Sequence, residues 1–324
     1  MRQRVYLWDN LKVITILMVV MTHSICPYQS ECWTGYYWIL IMTFSMPLFT
    51  IISGYWYKPR TFKHVFLRFL YPCILFSGII FVGGGEFYEP YKKQIPYLNF
   101  GYAMWYLWAL FVYYLITPYL LRHFQLKTIL IVSFFIALIV GIIPYINMTF
   151  QFSRVICFYP FFLLGVILKE KYESYIYTFT QRKKAVFVMS ICILIYVIAQ
   201  TSFPGIVFAT GFTNGYGLHL SGLIFRLFTQ IMCIIMSLSM ILIIPNKQFW
   251  FTRYGSRTMN VYLLHMLIVF PICWHYCTPF MHTWYGYTTM IILVPLLCCL
   301  LFGTWIDKMM RKILLLNNYP SSNK

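Results

Sequence analysis

Hydrophobic and polar positions alternate in long blocks along the chain, and short polar segments separate the apolar runs. An α-helix of about 20 apolar residues crosses the hydrocarbon core of a bilayer. The runs predict ten transmembrane helices, near residues 11–27, 36–57, 65–85, 102–121, 128–146, 154–169, 185–202, 219–245, 258–275 and 287–306. The pattern therefore predicts an all-α, polytopic integral membrane protein, with residues 1–324 forming a single membrane-embedded domain.

The basic residues predict how these helices are oriented. If the N-terminus is cytoplasmic, most of the 25 Lys and Arg residues lie in cytoplasmic segments, and the exceptions are Lys92, Lys93, Arg154 and Arg226. Positive residues collect on that side of multi-pass proteins, so both termini are predicted to be cytoplasmic. Arg2 and Arg4 precede the first apolar run as in a secretory signal, but no small-residue cleavage site follows, and a retained first helix is expected. We expect a multi-pass protein of the bacterial inner (plasma) membrane.

Composition agrees with a membrane protein and excludes other classes. Hydrophobic residues make up 61% of the chain and charged residues only 10%, less than half the charged fraction of an ordinary soluble domain. The net charge of +18 does not indicate nucleic-acid binding, because the basic residues are not gathered on one helix or tail. The ten cysteines show no metal-type spacing, and no metal is expected. Cys26 and Cys32 flank the first outer loop, where an oxidising periplasm would allow a disulfide.

The first predicted span carries ionisable residues, which are costly in a membrane and therefore suggest function. Lys12 and His23 are eleven positions apart, so they share one helix face roughly 16 Å apart. Imidazole is suited to general base catalysis, and a cation can hold a phosphate or polarise a carbonyl. Asp9 lies three residues before Lys12, within reach to orient it. Alternatively, Lys12 extends to lipid phosphate and His23 is satisfied by Thr22 and Ser24.

The second span ends with Ser53 and Gly54, which we expect to break the helix and to allow close approach of another helix or a ligand. Basic residues follow directly, at Lys58, Arg60, Lys63 and Arg68. This cluster is typical of a cytoplasmic loop, and it would also suit the phosphates of a cytoplasmic cofactor.

Three further ionisable residues lie in or at the edges of predicted spans. Arg154 opens the sixth span on its outer side, and Arg226 lies inside the eighth. Arginine stays protonated, so each needs an acid, water or a bound anion, or it must extend to the interface. His265, inside the ninth span, is a second polar wall of a cavity or a histidine hydrogen-bonded to a neighbouring helix.

Several segments resemble, in order along the chain, the motifs of the acyltransferase-3 family, and within it the fucose 4-O-acetylase-like branch. The first helix of that family carries an Asp, then an Arg, ten residues and a His, and here Asp9, Lys12 and His23 occupy those places. Lys in place of Arg keeps the charge but loses the planar fork that makes two parallel hydrogen bonds. Further resemblances lie in MPLFTIISGYWYKPR, FLRFLYP, WYLWALFVYY, SRVICFYPFFLLG and YGSRTMNVYLLH, which together cover most of the chain.

The resemblance implies a ten-helix membrane O-acyltransferase that takes an acyl group, commonly acetyl, from acyl-CoA on the cytoplasmic side. The implied acceptor is a hydroxyl of a surface polysaccharide, its lipid-linked precursor or a related glycolipid. By this resemblance His23 is the general base or a transient acyl carrier, Lys12 holds or polarises the donor, and Asp9 supports Lys12. Residues placed in the walls of the acceptor or donor cavity are Arg154, Arg226, Ser53, Tyr106 and His265.

A transporter for glycans or lipid-linked oligosaccharides would also need many helices and a polar cavity. Transporters built from repeats show two equivalent halves with interrupted helices at matching positions, and this sequence shows neither. A membrane sensor or assembly subunit is a third possibility, but it leaves the intramembrane histidine and arginines unexplained.

Overall fold

The computed structural model describes residues 5–25, 32–83, 102–143, 146, 149–202, 216–276 and 283–315. Every regular element within these ranges is helical, which confirms the predicted all-α class. The longer helices are α1 (Leu7–Ile25), α2 (Cys32–Tyr55), α3 (Phe62–Val65, Phe66–Leu70 and Tyr71–Gly83, the middle piece a π-helix), α4 (Trp105–His123), α5 (Leu126–Ile139), α6 (Phe152–Lys171), α7 (Glu173–Thr178), α8 (Arg182–Ser202), α9 (Leu220–Ile243), α10 (Thr258–Ile268, continued by the π-helix Val269–Tyr276), α11 (Trp284–Leu301) and α12 (Thr304–Ile313). Short 3-10 turns cover Tyr102–Met104, Val140–Ile142, Thr149–Gln151 and Thr252–Arg257.

Each of the ten predicted spans overlaps one of these helices. By length and composition, three helices of the described ranges are able to cross a membrane: Phe62–Val82, Phe152–Lys171 and Leu220–Ile243. A fourth is added if the bent pair Ile292–Leu301 and Thr304–Ile313 counts as one span. The total of ten spans and the cytoplasmic position of both termini stay predictions. The suggested pairing of Cys26 with Cys32 lies outside the described side chains.

The outer surface of the helices agrees with a lipid environment. One face of α5 leaves large apolar side chains uncovered, and they are Ile131, Val132, Phe135, Ile136 and Ile139. A contiguous apolar face of this kind is rare on a soluble monomer and is typical of contact with lipid or a partner. This surface agrees with the membrane class predicted from the sequence.

The structure agrees with one local prediction and differs from another. α2 ends at Tyr55, one residue after Gly54, which is close to the break expected at Ser53 and Gly54. The last predicted span, 287–306, does not run straight. α11 ends at Leu301, and the following helix Thr304–Ile313 is inclined by 59° to Ile292–Leu301. The segment after the bend carries Asp307, Arg311 and further charges, which are costly in hydrocarbon, so a direct continuation of the span is disfavoured.

Two glycines let α2 and α6 pack backbone against backbone. A Cβ atom on Gly54 would lie 1.9 Å from the carbonyl oxygen of Phe162, and one on Gly165 would lie 2.1 Å from that of Ile51. No side chain fits at either position, so close approach of these helices requires glycine. The predicted role of Gly54 in close packing agrees with this contact, which also determines where the neighbouring Ser53 lies.

The first helix is held at its start by residues that are distant in sequence. The Oδ1 atom of Asn246 accepts hydrogen bonds from the backbone nitrogens of Tyr6 and Leu7, at 2.8 and 3.1 Å. The Thr252 hydroxyl donates to Oδ1 of the fully buried Asn10 at 2.6 Å. The first N–H groups of a helix have no partner inside the helix, so Asn246 acts as a cap. The start of α1, with Asp9 and Lys12 directly after it, is therefore tied to the segment before α10.

Candidate active site

A cavity of about 320 Å³ lies where α1, α2, α3, α4, α10 and α12 meet. Five of the residues singled out in the sequence line it, and they are Asp9, Lys12, Ser53, Arg68 and Tyr106. The polar lining also includes Asn260, Asp307 and Arg311, which sequence reasoning did not select as site residues. Apolar side chains such as Phe49, Leu107 and Met310 complete the walls. Ligand pockets commonly combine an apolar wall with a few polar groups and measure roughly 300–1,000 Å³, so this cavity is at the small end of that range.

Lys12 is held by its own helix and by an aromatic ring. Its Nζ atom lies 3.4 Å from Oδ1 of Asp9 and 5.8 Å from the centre of the Trp56 ring. Both charged side chains are about three-quarters buried, with 26% and 20% exposure. Arg68 lies near enough for its charge to act on Lys12. The cavity thus has two neighbouring cations, one of which is oriented by an acid.

Gly255 brings the 3-10 turn Thr252–Arg257 directly against Asp9. A Cβ atom at Gly255 would lie 2.5 Å from Cβ, 2.6 Å from Cα and 2.8 Å from the backbone oxygen of Asp9. Because two of these three atoms are backbone, a side chain at position 255 would require α1 itself to move. The motif YGSRTMNVYLLH therefore contributes, through its glycine, to the position of the Asp9–Lys12 pair.

Ser53 and Tyr106 form a hydroxyl pair in the cavity wall. Their oxygens are 2.6 Å apart, and the Tyr106 hydroxyl also donates to the carbonyl of Phe49 at 3.0 Å. A phenol has one hydrogen to donate, so with that hydrogen on Phe49 the Ser53 hydroxyl must be the donor in the pair. Ser53 and Tyr106 thus add a hydrogen-bonded pair of hydroxyl groups to the same cavity wall that contains Lys12.

His23 and His265 face each other across two helices. Their ring centroids are 5.3 Å apart, although the residues belong to α1 and α10. The Nδ1 atom of His265 lies 2.8 Å from the carbonyl of Tyr262 and 3.1 Å from that of Val261. Carbonyl oxygens only accept hydrogen bonds, so Nδ1 carries the hydrogen, and in the neutral ring Nε2 is left as an acceptor. That Nε2 atom is buried and has no hydrogen-bond partner among the described residues.

Two tyrosines connect the cavity to the histidines. Tyr106 and Tyr262 both line the cavity, and their ring centroids are 5.7 Å apart. The Tyr262 ring lies 6.1 Å from that of His265, which in turn neighbours His23. Neither histidine is among the cavity-lining residues. The cavity therefore leads from Lys12 to Tyr106 and Tyr262, and the histidine pair lies directly behind the latter.

Arg154 belongs to the histidine group rather than to the cavity. Its guanidinium lies 5.3 Å from the centre of the Trp105 ring, and its positive charge is close enough to act on His23. Cation–π contacts of this kind keep an arginine in place in a poorly hydrated setting. Arg154 is thus within electrostatic range of His23 and lies outside the cavity lining.

Arg226 is positioned elsewhere. Its side chain is completely buried, its Nη1 atom donates to the carbonyl of Ala137 at 3.4 Å, and its Cζ atom lies 5.0 Å from the centre of the Tyr216 ring. It does not line the cavity. In the basic cluster after α2, Lys58, Arg60 and Lys63 are exposed and also lie outside the lining, so Arg68 is the member of that cluster that reaches it.

The residues that sequence reasoning missed lie on α10 and α12. Asn260 donates from Nδ2 to Oδ1 of Asp307 at 3.1 Å, and Nε of Arg311 donates to Oδ2 of the same acid at 2.9 Å. The signal in the sequence was the spacing of Asp307 and Arg311, which at i,i+4 allows an ion pair on a helix face. Within the described parts of the chain, no three His, Cys, Asp or Glu residues are grouped so that they would hold a metal ion.

The fold and this site define a class of protein: an all-helical membrane protein with a cation-lined cavity and, behind one of its tyrosines, a histidine pair. A scan against protein-family models matches residues 5–306 to the acyltransferase-3 family, described as an acyltransferase domain. The chain belongs to this family, and membership supports membrane acyl transfer as its activity. Searches among curated proteins and among solved structures give no match.

Proposed function

We propose that the protein is an O-acyltransferase that moves an acyl group, commonly acetyl, from acyl-CoA to a hydroxyl of a surface polysaccharide or its lipid-linked precursor. The observation that carries the proposal is the connection of the cavity holding Lys12 and Asp9 with the His23–His265 pair through Tyr106 and Tyr262. The finer proposals are a fucose 4-O-acetylase-like acceptor specificity and a location in the bacterial inner membrane.

The cavity suits part of the donor. Its volume of about 320 Å³ is small for a ligand pocket, which favours entry of the thin, uncharged pantetheine arm while the phosphates stay near its charged residues. Lys12 and Arg68 supply positive charge for those phosphates. The thioester would then lie deeper, past Ser53 and Tyr106.

The distance along α1 separates the roles of its two ionisable residues. Lys12 and His23 are roughly 16 Å apart along the helix, too far for both to act on one carbonyl group. Lys12 therefore holds the donor rather than polarising its reacting carbonyl. His23 acts at the acyl group.

In the chemical step, a ring nitrogen of His23 takes the proton of the acceptor hydroxyl. The oxygen attacks the thioester carbonyl, a new carbon–oxygen bond forms, and the carbon–sulfur bond breaks. The leaving thiolate takes the proton back from His23, so the products are the ester and free CoA. His265 packs beside the His23 ring, and its Nε2 atom, which has no partner among the described residues, is available to accept the other N–H of His23 during this step. In this proposal Arg154, whose charge acts on His23, stabilises the negative charge that develops on the carbonyl oxygen.

The test uses purified protein in liposomes with radiolabelled acetyl-CoA and envelope glycan from cells that lack the protein. His23→Ala should abolish transfer of label to glycan, and His219→Ala, which changes an exposed histidine at the start of α9, should leave it intact. Both variants should be present in the membrane in normal amounts. Unchanged labelling by His23→Ala would remove His23 from the mechanism. Wild-type protein that never consumes the donor would instead favour the transporter.

A further inference from the structure

The C-terminal helix α12 closes one side of the cavity. Asp307, Met310, Arg311 and Leu314 all line it, while Lys308 and Lys312 on the opposite face are exposed. The helix is bent by 59° from the end of α11, and it buries Ile306 and Met310. One face of α12 is thus a wall of the cavity that the proposed function assigns to the donor.

Several contacts keep this helix in place. Asn260 of α10 donates to Asp307, and the Tyr71 hydroxyl of α3 donates to the carbonyl of Ile313 at 3.3 Å. Just before the helix, Arg257 donates to the carbonyl of Phe302 at 2.8 Å. These contacts tie α12 to two of the helices that form the rest of the cavity. Arg311 is therefore presented from a fixed surface.

The charges around the cavity leave room for an anion. Among the described lining residues, three are cations and two are acids, and each acid is paired with a cation on its own helix: Asp9 with Lys12 and Asp307 with Arg311. The lining therefore carries excess positive charge. Arg311 uses Nε for Asp307, and in the described structure its two terminal nitrogens have no protein partner. A guanidinium with terminal N–H groups to donate is well suited to a phosphate.

We propose that Arg311 binds a phosphate group of the acyl-CoA donor, with α12 as part of the donor site. The inference rests on the proposed function. It also goes beyond the family match, which ends at residue 306, before Arg311. Asp307 is the positioning residue, because it holds Nε and so directs the remaining donors of Arg311. A lipid phosphate offers the same chemistry as the donor phosphate, and the experiment separates the two.

The test compares three donors in reconstituted protein: acetyl-CoA, acetyl-3′-dephospho-CoA and S-acetylpantetheine, which has no phosphate. Arg311→Ala should raise KM for acetyl-CoA roughly tenfold, the size of one lost charge-assisted hydrogen bond, while kcat changes little. KM for S-acetylpantetheine should change no more than in Lys312→Ala, the matched loss of one exposed charge on the same helix. Arg311→Lys should restore part of the affinity. A raised KM with acetyl-CoA alone assigns the contact to the 3′-phosphate, and a raised KM with both nucleotide donors assigns it to the pyrophosphate.

Three results would overturn the inference. An equal rise in KM for all three donors would mean that Arg311 only supports the fold. An effect that appears only in liposomes containing anionic lipid, with every donor alike, would assign Arg311 to a lipid headgroup. If Arg311→Ala and Lys312→Ala had the same KM for acetyl-CoA, Arg311 would have no role in binding the donor. Arg311→Gln, which still donates a hydrogen bond, replaces Arg311→Ala if the alanine variant is not recovered in folded form. If wild-type protein uses none of the donors, it is the proposed function that fails.

Discussion

Gly255→Ala tests whether the contact between the 3-10 turn and α1 positions the Asp9–Lys12 pair. The added methyl group would lie 2.5–2.8 Å from Cβ, Cα and the backbone oxygen of Asp9. Ordinary carbon contacts are about 3.5–4.0 Å, so the two segments must separate by about 1 Å. α1 cannot simply slide away, because Asn246 caps its start and Thr252 holds Asn10.

The magnitude of both effects follows from that displacement. Overpacking of this kind costs about 1–3 kcal/mol of stability, which should lower the midpoint of thermal unfolding by several degrees. A misplacement of about 1 Å in a group that positions substrate can cost about 100-fold in rate. We therefore expect kcat/KM for acetyl-CoA to fall between tenfold and 100-fold, mainly through KM, because Lys12 holds the donor.

The assay measures donor consumption in liposomes, together with thermal unfolding followed by size-exclusion chromatography with fluorescence detection. Arg253→Ala is the control, because it alters an exposed residue of the same turn that lies outside the cavity lining, and it adds no group toward α1. Wild-type kinetics and stability in Gly255→Ala would show that the close contact with Asp9 does not matter, and the positional argument would be refuted.

Two further predictions concern Lys12 in the cavity and His265 behind Tyr262. Lys12→Ala should raise KM for acetyl-CoA at least tenfold, since it removes one of the cavity's three cations, whereas Lys12→Arg should keep or improve the affinity because a guanidinium binds phosphate with two hydrogen bonds. Steady-state kinetics of both variants test this, and equal KM values for the Ala and Arg variants would contradict it. His265→Phe should lower kcat about tenfold or more with KM little changed, because His23 loses the acceptor proposed for its other N–H. His265→Gln should recover part of kcat, because it supplies an amide oxygen near the former Nε2 position. Equal kcat values for the Phe and Gln variants would show that His265 only packs against its neighbours.

Local features of the sequence account for the helices and for one half of the site. Apolar runs alone indicate where helices form, because in a hydrocarbon environment each backbone N–H and C=O must be paired within its own segment. The Asp9–Lys12 contact is likewise local, since residues three apart on a helix are neighbours whatever surrounds them. The helical period also places Lys12 and His23 on one stripe of α1.

The partners of these residues were decided only by tertiary structure. His23 meets His265, Ser53 meets Tyr106, and Arg311 joins the cavity because particular helices cross at particular depths and rotations. Those quantities depend on close contacts such as Gly54 against Phe162, and not on hydropathy, which is nearly uniform around a buried helix. For the same reason two arginines that looked alike in the sequence lie in different places, Arg154 over the Trp105 ring and Arg226 against Tyr216.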